Sequence, residues 1–196
     1  SNSNADLNSA ETKFVEDPIL ASQVLSFAAD GYLELPKWLL DQTDYSLEFL
    51  FNADAITNIN NESDTSGESE NRQTLLSARS ENNEYLTIEL VSSTNNLFVI
   101  ELNTQDRDGT QTSQTLTDNM LTFDTWLKIT LGYDDATKTL TLSTSPQAGG
   151  ESAQVSSVLS YGTRAFQYEN LRIVMGSDLE LGLGFSGKMD EVRVVR

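Results

Sequence analysis

Cysteine and histidine are absent from this chain of 196 residues, and proline occurs only three times. The absence of cysteine excludes disulfides and thiol chemistry. The absence of histidine excludes a Ser-His-Asp triad, a Cys-His pair and an ordinary zinc site. A chain of this length buries about two-thirds of the surface that its unfolded form exposes, so it can hold a core without cross-links.

Positive charge is also scarce, because 12 Lys and Arg residues stand against 30 Asp and Glu residues and leave a formal net charge of −18 at pH 7. Nucleic acids and anionic membrane surfaces repel such a chain, which excludes both as partners. No apolar run approaches the roughly 18 residues of a membrane-spanning helix. The remaining chemistry is that of carboxylates, hydroxyls, amides and aromatic rings, which suits hard cations such as Ca²⁺ or neutral sugars.

Apolar and polar residues alternate over most of the chain, and helical periodicity is nearly absent. Alternating runs recur about every 8–14 residues with turn residues between them, which is typical of a β-sandwich or barrel. Such runs cover 45–51, 86–90, 98–102, 127–133, 140–142 and 171–175. We therefore predict one all-β domain at 21–196 with a single helical turn at 36–41. Residues 1–20 are expected to be a linker, or at most an edge strand.

Turn residues and polar stretches separate the predicted strands. Asp134 and Asp135 lie between two alternating runs and predict a hairpin, because Asp side chains cap the backbone of tight turns. Asp30–Gly31 predicts a second turn of this kind. Three further segments are too polar for core strands and are expected to be long loops: 53–71, 103–119 and 145–167.

Four segments, in order along the chain, resemble the laminin-G-like jelly roll of the concanavalin A-like lectin and glucanase superfamily. They are 25–36, 45–51, 125–134 and 185–194. The last of them reads Phe-Ser-Gly-Lys-Met-Asp-Glu-Val-Arg-Val and is similar to the closing strand of that family. The resemblance implies an antiparallel β-sandwich of jelly-roll type, and the absence of disulfides favours a microbial relative.

The glycosidase branch of the same superfamily carries a Glu-x-Asp-x-x-Glu strand, whose carboxylates serve as nucleophile and acid/base. No strand of this sequence has that motif. The resemblance therefore implies the fold of this superfamily but not its hydrolase activity, and we predict no catalytic residue.

The closing strand also contains a change of parity. Met189 and Val192 should both face the core, but they are separated by an odd number of positions. One extra residue must lie between them, which predicts a β-bulge at Asp190–Glu191.

The resemblance implies a structural calcium ion at this bulge. In related sandwiches the matching aspartate holds the ion together with backbone groups near the first hairpin, which places Asp190, Asp30 and Gly31 at the predicted metal site. Carboxylate and carbonyl oxygens are the ligands that Ca²⁺ prefers. The alternative is that Asp190 pairs with Arg193 or Lys188 and that Asp30 serves only its turn.

Four residues are candidates for ligand contacts. Tyr161 and Tyr168 lie on either side of Arg164 in a polar segment, and aromatic rings beside an arginine are typical of binding surfaces. Trp38 follows Pro36 in a short connection, where functional residues are frequent. The alternative is that the tyrosines pack the loop against the domain and that Trp38 covers the core.

The sequence thus predicts a non-catalytic, lectin-like carbohydrate-binding module. We expect it to be a monomeric domain of a larger secreted or cell-surface bacterial protein. The first alternative is an adhesion module that binds a protein or peptide, and the second is a glycoside hydrolase or lyase of the same fold. A groove lined by polar and aromatic groups would favour the lectin, an apolar strip the peptide binder, and a cleft with paired carboxylates the enzyme.

Overall fold

A computed structural model describes most of the chain as two seven-stranded antiparallel sheets that pack face to face. The described residues are 6–7, 12–28, 31–55, 71–80, 83–92, 97–147, 152–163, 166 and 171–195. Strands are numbered in chain order.

The front sheet consists, from edge to edge, of β1 (Asp6–Leu7), β4 (Leu33–Leu35), β13 (Arg172–Met175), β6 (Asn71–Arg79), β7 (Tyr85–Ser92), β8 (Leu97–Gln105) and β9 (Gln111–Thr122). The back sheet consists of β12 (Ala153–Val158), β11 (Thr139–Pro146), β10 (Leu127–Asp134), β5 (Asp44–Ala53), β16 (Gly187–Val195), β3 (Ser22–Phe27) and β2 (Thr12–Asp17). The short strands β14 (Ser177–Asp178) and β15 (Leu183–Gly184) pair separately.

Alternating side chains of both sheets fill one core. In β10, Leu127, Ile129 and Leu131 are buried between the sheets, whereas the intervening Lys128 and Thr130 are half-buried on the outer face. This alternation is the one that the sequence shows, and it confirms the predicted all-β sandwich.

The predicted local features are present. Asp134 Oδ1 accepts the N–H groups of Ala136 and Thr137 at 2.9 and 3.2 Å, which closes the hairpin between β10 and β11. A 3₁₀ helix at Lys37–Asp41 is the predicted helical turn. No helix in the described part of the chain is long and apolar enough to cross a membrane.

The bulge in the last strand is also confirmed. In the pairing of β16 with β5, Asp190 lies opposite Leu50 and Arg193 lies opposite Glu48, so three steps on one strand match two on the other. Glu191 has a φ of 51°, which places the extra residue in the left-handed region.

Two of the segments expected to be loops contain strands, so that prediction was wrong. Segment 103–119 contributes the end of β8 and much of β9, and segment 145–167 contains β12. Both β9 and β12 are edge strands, and hydroxyl groups hold these two edges together. Thr112 Oγ1 lies 2.7 Å from Thr104 Oγ1 and 2.6 Å from Ser157 Oγ. Polar residues form strands here because they bond to one another where the apolar core ends.

The turn at Asp30–Gly31 does not join a hairpin. It leads from β3 in the back sheet to β4 in the front sheet, so it is a crossover between the sheets. Asp30 lies outside the described residues, and the N–H of Gly31 donates to the carbonyl of Ala28 at 2.8 Å. The sandwich also begins before residue 21, because β2 forms the outermost described strand of the back sheet.

Candidate functional site

The outer face of the front sheet carries a groove lined mainly by polar side chains. It consists of two adjoining depressions of about 380 and 270 Å³, which share Arg79, Ser80, Asn83 and Glu180. We call this feature the polar groove. Ser80 and Asn83 bracket the turn between β6 and β7, Arg172 lies on β13, and Glu180 lies between β14 and β15, so three parts of the chain form its walls.

Arg79 is held in place by two neighbours, Asp178 and Tyr85. Its Nη2 and Nε donate to Oδ2 of Asp178 at 2.6 and 2.9 Å, and its guanidinium carbon lies 4.8 Å from the centre of the Tyr85 ring. Asp178 is fully buried and also accepts the N–H groups of Glu180 and Leu181 at 3.1 and 3.3 Å. One carboxylate therefore joins the turn after β14 to the sheet, and the groove is formed by side chains with defined positions.

The second arginine of the polar groove is paired as well. Arg172 on β13 lies directly opposite Arg79 on the neighbouring strand β6. Its Nη2 donates to Oε2 of Glu34 at 2.9 Å. The hydrogen bond to Glu34 raises the pKa of Arg172 above its ordinary value, although burial opposes the shift. Because Asp178 and Glu34 neutralise the two arginines, the groove offers polar groups without excess positive charge.

A partly buried ionic cluster lies farther along the same face of the sheet. Arg72 Nη1 donates to Oε2 of Glu89 at 2.9 Å and to Oε2 of Glu101 at 2.8 Å. Thr87 Oγ1 donates to Oε1 of Glu89 at 2.8 Å. Burial alone would lower the pKa of Arg72, but its hydrogen bonds to Glu101 and Glu89 raise it above the ordinary value.

Glu89 and Glu101 form a pair of carboxylates that the sequence analysis did not identify. They lie directly opposite each other on the antiparallel strands β7 and β8. Both oxygens of Glu89 accept hydrogen bonds, one from Arg72 and one from Thr87, so the carboxylate is held in place and its charge is balanced by Arg72. The pair therefore resembles a structural ionic cluster more than an acid/base pair. The signal in the sequence was that both residues fall on polar positions of two neighbouring strands.

The structure describes two of the four residues predicted to contact a ligand. Tyr161 is 49% exposed, and its N–H donates to Oδ2 of Asp106 at 3.1 Å beside the turn between β8 and β9. Trp38 is half-buried in the 3₁₀ helix and does not line a cavity together with Tyr161. Arg164 and Tyr168 lie outside the described residues. Neither Trp38 nor Tyr161 lines the polar groove.

Trp38 instead lines an opening between the two sheets, which we call the apolar cleft. It has a volume of about 370 Å³ and is bordered by β4 and the 3₁₀ helix on one side and by β2, β3 and β16 on the other. Its apolar walls include Phe14, Leu25, Leu33, Trp38, Val192 and Val194.

Asp190 and Gly31 do not come together. The register of β16 with β3 pairs Gly187 with Phe27, so the turn that contains Gly31 follows the Gly187 end of the strand. Asp190 lies three residues farther along, about 10 Å at the usual rise of a strand. Its Oδ2 accepts the hydroxyl of Ser22 at 3.1 Å, at the opposite end of β3.

In the described part of the chain, Asp190 and Gly31 therefore do not share one site. In the described part of the chain, no three acidic side chains converge on one point. Asp190 has a hydroxyl neighbour in Ser22, and no described hydrogen bond or ion pair joins it to Arg193 or Lys188. Calcium binding at Asp190 stays a prediction, and its ligands would have to differ from those that the resemblance implies.

No protein-family model and no curated protein matches the chain, but solved structures share its fold. The enzymatically active domain of tailspike protein 2 from Bacteriophage CBA120 aligns over 97% of this chain and 28% of its own, with 16% identity and a TM-score of 0.71. The LG1-3 region of the laminin alpha2 chain aligns over 87% of this chain and 30% of its own, with 14% identity and a TM-score of 0.59. Basic winged bean lectin with Tn-antigen aligns over 94% and 89%, with 11% identity and a TM-score of 0.54.

These similarities confirm the fold, an antiparallel β-sandwich of jelly-roll type shared with laminin and lectin structures. The chain spans less than a third of the tailspike and laminin chains that it matches. At this level of identity the likeness concerns architecture alone, because one sandwich supports many different functions.

Proposed function

We propose that the chain is a non-catalytic carbohydrate-binding module of a larger secreted or cell-surface bacterial protein, and that the polar groove holds the sugar. The observation that carries this proposal is the composition of the groove. Hydrogen-bond donors and acceptors from three parts of the chain surround one open depression, and the carboxylates of Asp178 and Glu34 hold its two arginines in place.

The groove suits a neutral sugar for two reasons. Its arginines are already paired with carboxylates, so an anionic ligand finds no free positive charge, and the net charge of −18 adds repulsion. Hydroxyl groups of a sugar can bond to the polar side chains of Ser77 and Asn83, while Leu179 provides an apolar wall for the C–H face of the ring.

A glycan array tests this proposal, with the Glu180→Ala variant as the groove mutant and Glu16→Ala as the matched control. Both residues are exposed acids, but only Glu180 lines the groove. We expect one class of neutral glycan to bind the wild type and the control, and Glu180→Ala to weaken that binding about fivefold or more, as for a lost hydrogen bond to a charged group. Absence of binding to any glycan, or equal binding by both variants, would contradict the proposal.

The same preparation tests the absence of catalysis. We expect no release of reducing sugar from laminarin, agar or carrageenan, because Arg72 donates to both Glu89 and Glu101 and so lies between the two carboxyl groups, where a glycosidase holds the scissile bond. Sustained release that is abolished by Glu101→Gln would instead assign a glycosidase to the Glu89–Glu101 pair.

The apolar cleft favours a second candidate function, which is adhesion to a protein or peptide. The cleft is an apolar strip, which is the feature expected of a peptide binder rather than of a lectin. It shares no lining residue with the larger depression of the polar groove.

A further inference from the structure

We propose that the smaller depression of the polar groove binds the free amino group of an amino sugar, and that the buried carboxylate of Glu84 accepts its hydrogen bond. This inference rests on the proposed function, because it names the class of sugar that the polar groove prefers. The paired arginines of the groove disfavour an anion, but they do not disfavour a ligand with one positive charge.

Glu84 carries a buried oxygen atom that lacks a hydrogen bond. The residue lines the smaller depression and is 0% exposed. Its Oε2 accepts the hydroxyl of Ser80, whereas its Oε1 accepts no hydrogen bond from any described residue. A buried carboxylate oxygen without a donor is unfavourable, so a ligand that supplies an N–H or O–H group gains more free energy here than at a solvated acid.

The turn between β6 and β7 fixes this carboxylate at one end of the groove. The N–H of Ser80 donates to the carbonyl of Glu84 at 3.0 Å, and the N–H of Asn83 donates to the carbonyl of Ser80 at 3.3 Å. Asn83 has a φ of 68°, a left-handed conformation that asparagine tolerates in tight turns. Glu84 therefore has a defined position, with Tyr85 and Gln105 as further walls of the smaller depression.

Arg107 lies near the unbonded oxygen without satisfying it. Its Nε is 3.9 Å from Oε1 of Glu84, which is an ion-pair distance but too long for a hydrogen bond. The side chain of Arg107 is 53% exposed in the turn between β8 and β9. An exposed partner contributes little to an ion pair, so a ligand's ammonium group can take the place of Arg107 at small cost.

The ionic groups around the smaller depression leave it negative. The charged residues that line it, together with their described ion-pair partners, are two arginines and three carboxylates: Arg79, Arg107, Asp178, Glu84 and Glu180. A hydroxyl group would supply a donor to Glu84 but leave the extra negative charge. An ammonium group supplies the donor and balances the charge, and hydrogen bonds between two ionised groups are the stronger kind. The ligand chemistry that fits is therefore a sugar with a free amino group.

Three tetrasaccharides with the same β-1,4-linked backbone test the proposal, because they differ only in the group at carbon 2 of each ring. The glucosamine tetramer carries an ammonium group there, the N-acetylglucosamine tetramer a neutral amide, and cellotetraose a hydroxyl. Titration calorimetry at pH 6 keeps the amino groups protonated. We expect the glucosamine tetramer to bind about tenfold more tightly than either of the others.

Two variants locate the contact. Glu84→Gln keeps the shape of the side chain and should weaken binding of the glucosamine tetramer about tenfold, while changing that of cellotetraose by about twofold at most. Glu16→Gln is the matched control, because it removes one negative charge from an exposed position on β2. Arg107→Gln acts at an exposed side chain and should strengthen binding of the glucosamine tetramer about threefold, since Glu84 loses its competing partner.

Spermidine is the control for net charge, because it is a cation without a sugar ring. Competition by spermidine at the concentration of the glucosamine tetramer, or equal weakening by Glu84→Gln and Glu16→Gln, would reduce the effect to general attraction and overturn this inference.

The inference and the proposed function fail in different ways. Equal affinity for the glucosamine tetramer and cellotetraose, or no binding of the glucosamine tetramer, would overturn the inference alone, provided that another glycan binds and Glu180→Ala weakens its binding. Absence of binding to every glycan would overturn the proposed function together with it.

Discussion

Hydroxyl groups show most clearly how single side chains contribute to this fold. Thr74 and Thr87 are both threonines of the front sheet, and they are 0% and 1% exposed. Thr87 Oγ1 donates to Glu89, whereas Thr74 Oγ1 has no hydrogen-bond partner among the described residues. The two hydroxyl groups are equally buried but affect the free energy of unfolding in opposite directions, because burying an unpaired hydroxyl is unfavourable.

Replacement of each threonine by valine tests this contrast. Thr74→Val removes an unpaired hydroxyl at nearly constant shape and should raise the free energy of unfolding by up to about 1 kcal/mol. Thr87→Val removes a bonded donor and should lower it by about 1–2 kcal/mol, because Glu89 loses a partner. Urea denaturation measures both. A loss of stability in both variants would mean that Thr74 has a partner after all.

The carboxyl group of Asp17 makes the stability of the fold depend on pH. Burial alone would raise the pKa of Asp17, but hydrogen bonds from Lys188 and from the N–H groups of Leu20 and Ile19 lower it below the ordinary value. A carboxyl whose pKa is lower in the folded state stabilises the fold above its unfolded pKa of about 4, and that contribution disappears as pH falls through the folded pKa.

We therefore expect part of the stability to be lost below about pH 4. Asp17→Asn should lose stability at pH 7 and show a shallower decline between pH 4 and pH 2 than the wild type. Glu16→Gln, at an exposed position of the same strand, controls for the loss of one charge. The measurement is the free energy of unfolding across this range. An unchanged slope in Asp17→Asn would contradict the prediction.

Single ion pairs connect neighbouring elements of the fold, and their burial differs. Asp178 connects the turn after β14 to β6 through Arg79, and its side chain is 0% exposed. The pair of Arg172 with Glu34 connects β13 to β4, and its side chains are 49% and 34% exposed. Removing one partner of a buried pair leaves an uncompensated charge, whereas an exposed partner is solvated by water.

Arg79→Met and Arg172→Met form a matched pair of variants. Arg79→Met should lower the free energy of unfolding by about 3–5 kcal/mol. Arg172→Met should change it by no more than about 1 kcal/mol. Denaturant unfolding checks both values, and equal losses would show that burial does not determine the strength of these connections.

The bulge of β16 determines where Asp190 points. Asp190 bonds to Ser22 and lies away from Gly31, so a calcium ion at Asp190 would take its other ligands from elsewhere. If Asp190 holds calcium, the melting temperature of the wild type should be higher in calcium chloride than in sodium chloride of the same ionic strength, because a ligand that binds only the folded state stabilises it, and Asp190→Asn should abolish the difference. Equal melting temperatures in the two salts would contradict the calcium site.

At the scale of the whole molecule, the charge of −18 acts against compactness. Self-repulsion among carboxylates destabilises the folded state at low ionic strength, and salt screens it over a distance of about 10 Å at 0.1 M. The melting temperature should rise from low to physiological salt, to the same extent in sodium and potassium chloride. A flat response would mean that local ion pairs already balance the acids.

The sequence by itself determined the architecture. Alternation assigns each residue to a face of a strand, which is why the core and the bulge at Asp190 followed from parity, and the turn residues at Asp134 added the hairpin. It failed for β9 and β12, because edge strands need fewer apolar residues and bond through hydroxyls at the rim.

The tertiary structure decided which faces and strands meet. Alternation carries no information about sheet order, so the sequence did not separate Asp190 from Gly31, bring Arg72 to Glu89 and Glu101, or place Trp38 in a cleft beside β2. Those contacts depend on the register between strands that are distant in the chain, and register is set by how all the strands pack around the common core.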